Sequence, residues 1–91
     1  MYKVKFTPKI KRDIELMEKR GKDLNKIKDV LLLLASGKPI PPRHRDHALS
    51  GKWRKLRELH IEPDWLLIYE VRKNELVVVA TRTGSHSDLF R

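Results

Sequence analysis

Four histidines, an Asp-Trp pair and one arginine set in a β-branched run are the residues of this 91-residue chain best suited to chemistry. The densest stretch is His60-Ile61-Glu62-Pro63-Asp64-Trp65, where two groups able to move or hold protons flank a proline turn. Leu66-Leu67-Ile68-Tyr69 follows and reads as the centre of a sheet. Titratable groups fixed at the end of a rigid buried strand are one way to build an active site. His44, His47, His86 and Arg82 lie elsewhere in the sequence. Histidine suits proton transfer near neutrality, and arginine is permanently cationic and holds phosphate oxygens with paired hydrogen bonds. That combination suits RNA cleavage. The 2′-hydroxyl is RNA's own nucleophile, so a nuclease must remove its proton, stabilise charge on phosphorus and protonate the leaving 5′-oxygen.

Each residue also has a plainer reading. His44, among arginines and prolines, reads as a solvated loop residue. His47, before an Ala-Leu pair, is open between the two readings. His60 fits a satisfied strand-end histidine and Asp64 a turn cap. Trp53 and Trp65 read first as packing residues. Arg82, among Val and Thr, needs an anion. Phe90 is expected to close the core. A metal centre is the natural rival for a histidine cluster, and His44-x-x-His47 has ligand-like spacing. With no cysteine and few carboxylates near the histidines, chemistry without metal or other cofactor is the expectation.

The elements that must position these groups are legible. Tyr2-Lys3-Val4-Lys5-Phe6 alternates apolar and basic residues, a strand with one buried face. Thr7-Pro8 is a helix start, and Ile10, Ile14 and Met17 form one apolar stripe that Gly21 ends. Asp23 caps a second helix with Leu24, Ile27, Val30, Leu31 and Leu34 inward, stopped by Gly37 and Pro39. Lys38 to Lys52 reads as a long loop. Strands are expected over 53–61, 64–71 and 76–83, joined as an antiparallel meander, and Ser85 caps one helical turn through Phe90. The order is strand, helix, helix, three strands: one α+β domain over residues 1–91, with a helical hairpin against one sheet face and the other face open.

Composition narrows the partners. Lys and Arg number 21 against 12 Asp and Glu, a formal charge of +9. From Lys38 to Arg57 seven basic residues face the single acid Asp46. Such a cluster favours a polyanion, nucleic acid first. The longest apolar run, Val30 to Ala35, is too short to span a bilayer, and no signal-peptide pattern opens the chain, so a cytoplasmic protein without membrane contact is expected.

Three blocks then carry a family likeness: Asp46-His47-x-Leu49-x-Gly51-x-Trp53, His60-Ile61-Glu62-Pro63-Asp64-Trp65-x-Leu67-Ile68-Tyr69, and Arg82-Thr83-Gly84-Ser85-His86-x-x-Leu89-Phe90. Together they resemble the signature of YafQ-type toxins of the RelE/ParE superfamily, from type II toxin–antitoxin systems. The resemblance implies a RelE-like antiparallel sheet backed by the helical hairpin. It also implies an endoribonuclease that enters the ribosomal A site and cuts messenger RNA. Carried over by residue, it implies catalytic roles for His47, His60, Asp64, Arg82 and His86, with His86 and Asp64 as the acid–base pair in an open order. Lys52, Arg54, Lys55, Arg57, Trp65 and Phe90 are the expected RNA contacts. A DinJ- or RelB-like antitoxin is the implied partner, binding a toxin that is monomeric when free and forming a heterotetramer with it. The alternatives are a non-catalytic nucleic-acid- or ribosome-binding module and a gyrase poison like those of the ParE branch, against which the His/Asp set argues.

Overall fold

A computed structural model describes residues 1–90 of the chain. Strand β1 (Lys3–Phe6) leads into helices α1 (Pro8–Lys19) and α2 (Leu24–Ser36). A 3-10 turn at Pro42–His44 and the two-residue strand β2 (His47–Ala48) follow. After a second turn at Gly51–Trp53, the chain runs through β3 (Arg57–Glu62), β4 (Trp65–Arg72) and β5 (Val77–Gly84) to the short helix α3 (His86–Leu89).

The helix boundaries follow local chemistry. Thr7 Oγ1 accepts from the Ile10 amide at 3.1 Å, and Pro8 fills the first helical turn, where its missing N–H leaves no gap. Asp23 accepts from the Asn25 amide at 3.0 Å to start α2, and Gly37, at φ 74°, ends it in the left-handed conformation that a residue without Cβ adopts freely. The two apolar stripes meet one face of the sheet. Ile10, Met17, Ile27, Val30 and Leu34 pack with Leu59, Trp65, Leu67, Tyr69, Val78 and Ala80.

The α+β architecture is as the sequence predicts, with three differences. The sheet is five-stranded, in the order β1-β5-β4-β3-β2. Its β2-to-β5 part is an antiparallel meander, but β1 pairs with β5 in parallel, so the whole sheet is mixed. The third strand begins at Arg57, because Gly51–Trp53 curls into a 3-10 turn with Gly51 at φ 64°. The predicted loop contains a short strand at His47–Ala48, which extends the sheet edge.

Two irregularities set which side chains reach the open face. Between Ile68 and Tyr69 the β4–β5 register shifts, pairing Ile68 with Arg82 and Tyr69 with Ala80 and leaving Thr81 as the extra residue. Val78 and Ala80 face the helices, so strict alternation would carry Arg82 into the core. The bulge reverses that order. Arg82 pairs opposite Ile68 on the open face, and Thr83 turns inward, where it is buried and meets Trp65. A second shift lies between His60 and Glu62 on β3.

Candidate functional site

Directly paired residues of an antiparallel ladder point to the same face. One row across the open face therefore reads His47, Glu58, Ile68, Arg82. The next row reads His60, Leu66, Gly84. Gly84 hands the chain to Ser85, the N-cap of α3, and His86 follows as its first residue. Four expected catalytic residues thus come from three strands and one helix start onto one face. Asp64, in the β3–β4 turn, joins them at the end of the sheet.

His86 and Asp64 form the tightest contact. The His86 amide donates to Asp64 Oδ1 at 2.9 Å, and ring Nδ1–H donates to the same oxygen at 2.6 Å. The backbone amide first, then the ring, hold the Asp64 carboxyl below its ordinary range, so it is ionised at neutral pH. Nε2 of His86 is left outside this pair. The His60 ring lies opposite, with centroids 5.7 Å apart and an interplanar angle of 47°. Its Nδ1 is buried, with no hydrogen-bond partner among the described residues.

His47 is half-exposed. Its Nδ1–H donates to the Arg45 carbonyl at 2.7 Å, and its Nε2 lies 3.8 Å from Glu58 Oε1. Glu58 is buried, and the sequence reading passed over it. Its position two residues before His60 on one strand was the available signal, since i and i+2 share a face. Glu58, His60 and His86 each present one ligand-type atom within 4.8 Å of the others. Two imidazoles and a carboxylate suit zinc or copper, and the orphaned His60 nitrogen fits that donor set.

Arg82 meets the anion its setting demands. Nε donates to Asp13 Oδ2 at 2.7 Å and Nη2 to Oδ1 at 3.2 Å. This pairing raises the guanidinium pKa, and Nη1 lies outside it. Asp13 also accepts the Thr83 amide at 3.2 Å. Its role is local: β1 ends opposite Ala80, so the β5 edge beyond needs other partners. Thr7 Oγ1 donates to the Thr81 carbonyl at 2.7 Å on the same edge.

Several expectations are corrected. Trp65 was expected to contact RNA, but it is 0% exposed and its Nε1–H donates to Thr83 Oγ1 at 2.9 Å. Its place on the helix-facing side of β4 leaves it no surface to offer. Phe90 does not close the core; it is 50% exposed on the open face. His44 is no solvated loop residue. It is buried, and its Nδ1–H donates to the His60 carbonyl at 2.8 Å, beside the β3 bulge. Among the expected basic contacts, Arg57 is engaged by Asp46 at 3.0 Å, and Asp46 also accepts the Tyr69 hydroxyl. Lys52, Arg54 and Lys55 are exposed.

Helix α3 is held by carboxylate chemistry that the sequence reading missed. Ser85 Oγ accepts the Asp88 amide at 3.1 Å, and Asp88 Oδ2 accepts the Ser85 amide at 2.8 Å, a reciprocal cap. Asp88 also takes a two-pronged pair from Arg20 at 2.6 and 3.0 Å. Arg20 first, then the Ser85 amide, drive its pKa well below the ordinary carboxylate range.

The site is thus a helical pair behind a sheet whose open face carries histidines, a carboxylate and an arginine. A family model described as bacterial toxin of type II toxin–antitoxin system, YafQ, matches residues 2–91. The mRNA interferase toxin YafQ of Escherichia coli K12 is 38% identical over 88 residues, covering 96% of this chain and 94% of the relative. A crystal structure of the Escherichia coli DinJ–YafQ complex contains a chain 35% identical with a TM-score of 0.89, covering 100% of both chains. A metal-bound toxin from Helicobacter pylori is 37% identical with a TM-score of 0.92, covering 99% of this chain and 100% of that one. The chain belongs to the YafQ family of type II toxins.

Proposed function

We propose that this chain is an mRNA interferase that acts on messenger RNA in the ribosomal A site, is neutralised by a DinJ-like antitoxin, and works in the cytoplasm. The observation that carries the reading is the His60–His86–Asp64 arrangement on the open sheet face. In this mechanism Nε2 of His86 takes the proton of the 2′-hydroxyl. The 2′-oxygen forms a bond to phosphorus, the bond from phosphorus to the 5′-oxygen breaks, and protonated His60 supplies the proton to the leaving oxygen. The products are a 2′,3′-cyclic phosphate and a 5′-hydroxyl.

Asp64 is assigned a different role from the acid–base partner expected from the family resemblance. An aspartate held ionised by two donors on one oxygen is a poor proton donor, but it orients His86 and stabilises its imidazolium. Arg82, fixed by Asp13, offers its remaining nitrogen to the phosphate charge. His47, with Glu58, lies at the end of the Ile68 row and positions the RNA backbone. Lys52, Arg54 and Lys55 supply the exposed charge that docks on RNA.

A metal reading of the same site is favoured by Glu58, His60 and His86, which would hold a zinc or copper ion. When bound, such an ion would supply Lewis acidity.

The deciding experiment maps messenger 5′ ends in a translation extract. Wild-type protein should produce new 5′-hydroxyl ends in phase with codons, and His86→Ala should lose them by about 10²-fold or more. Intact messenger at a dose that stops growth would overturn the reading in favour of gyrase or simple ribosome binding.

A further inference from the structure

Beside the histidine cluster, over Ile68, the open face carries a depression of about 330 Å³. Its apolar lining includes Leu56, Ile68 and Leu89. Trp53 and Phe90 also line it, and these bulky rings are 55% and 50% exposed. Lys9 and Arg82 supply positive charge, and no carboxylate lines it among the described residues. Lys52 Nζ lies 5.1 Å from the Trp53 ring centroid, adding charge to an aromatic surface.

We infer that this depression receives one unstacked nucleobase of the RNA strand, next to the phosphodiester held between His60 and His86, with Trp53 as its stacking platform and Phe90 as a second aromatic contact. The inference rests on the nuclease reading and names a subsite for its substrate. Composition is the first argument. An apolar slot flanked by aromatic faces and ringed by cations matches a flat base joined to phosphates. Position is the second. Ile68 lies two residues along β4 from Leu66, whose row holds His60, a separation of about 7 Å on the same face. That is on the order of one step of an extended strand, so a base in the depression and a phosphate at the histidines belong to adjoining parts of one RNA. The third argument is Arg82, which lines the depression and whose Nη1, without a hydrogen bond among the described residues, is left to contact the base edge or the adjoining phosphate.

Of the chain's two tryptophans, Trp65 is buried, so this task falls to Trp53, on its 3-10 turn. The test compares wild type, Trp53→Phe and Trp53→Leu for messenger cleavage in a translation extract, across a range of toxin concentrations. Melting temperatures are recorded alongside. Leucine keeps apolar bulk but has no stacking face, whereas phenylalanine keeps one. Trp53→Leu should lose about 10- to 100-fold in cleavage at limiting toxin, less at saturating toxin, and redistribute the cleaved codons, while Trp53→Phe stays within about threefold of wild type. Trp53→Leu cleaving the same codons with the wild-type concentration dependence would overturn the inference. So would unchanged cleavage with weakened neutralisation by the antitoxin, which would make a peptide the occupant. Loss in both variants without a stacking-dependent order would also overturn it. Absence of new 5′ ends with wild type is a separate result, and it would remove the nuclease reading itself.

Discussion

One carboxylate oxygen of Asp64 accepts both the backbone amide and ring Nδ1–H of His86, at 2.9 and 2.6 Å. The backbone bond ties the first residue of α3 to the β3–β4 turn, and the ring bond fixes which nitrogen of His86 carries its proton. Asp64→Asn keeps the shape, but its amide can present a donor to Nδ1 and favour the other tautomer. Messenger cleavage by Asp64→Asn should fall about tenfold or more with little change in melting temperature, since this contact is exposed. A variant with wild-type cleavage would remove Asp64 from the mechanism.

Gly84 lies against Asp88 more closely than a side chain allows. A Cβ built at Gly84 would stand 2.9 Å from Asp88 Cβ. Asp88 Cβ is anchored in the α3 cap, so Gly84→Ala must push that helix, with His86, away from the sheet. We expect a loss of about 1–3 kcal/mol in urea unfolding and a fall in cleavage larger than stability alone explains.

Asp88 links stability to acidity. Its folded pKa is lowered from the ordinary 3.8 by Arg20 and the Ser85 amide. A depressed carboxylate contributes stability above the unfolded pKa and loses it as pH falls through the folded one. Wild type should therefore melt well above Asp88→Ala at pH 7, and the gap should narrow steadily below about pH 4. A gap that is constant with pH would assign the difference to packing instead of charge.

Arg82 and Asp13 form a forked pair that also serves the unpaired edge of β5. Asp13→Ala should cost about 1 kcal/mol by chemical unfolding, discounted for the partial exposure of Arg82. Arg82→Lys keeps the charge but loses the fork, and its cleavage should drop about tenfold.

The trio Glu58, His60 and His86 predicts a metal affinity measurable without any RNA. Zinc titrated calorimetrically into the protein should bind with proton release, and His60→Ala or His86→Ala should abolish binding. Glu58→Gln should weaken it. Equal binding by all variants would place the metal elsewhere.

The sequence by itself determined the elements. Thr7-Pro8, Asp23, Gly37 and Ser85 mark helix boundaries through local hydrogen bonding and backbone freedom, which act over a few residues and so are written in a few residues. It also determined the family, through three motif blocks that carry His47, His60, His86, Asp64 and Arg82. Only the tertiary structure decided how these residues face one another. The bulge at Thr81 moves Arg82 to the open face and Thr83 into the core, and no local pattern on β5 announces where alternation breaks. Asp13 meets Arg82 and Asp88 meets Arg20 across 69 and 68 residues of sequence, pairings set by how α1 lies on the sheet. The two tryptophans exchange roles for the same reason. Trp65 is buried because β4 turns that side toward the helices, and Trp53 is exposed because its turn stands at the open face's depression.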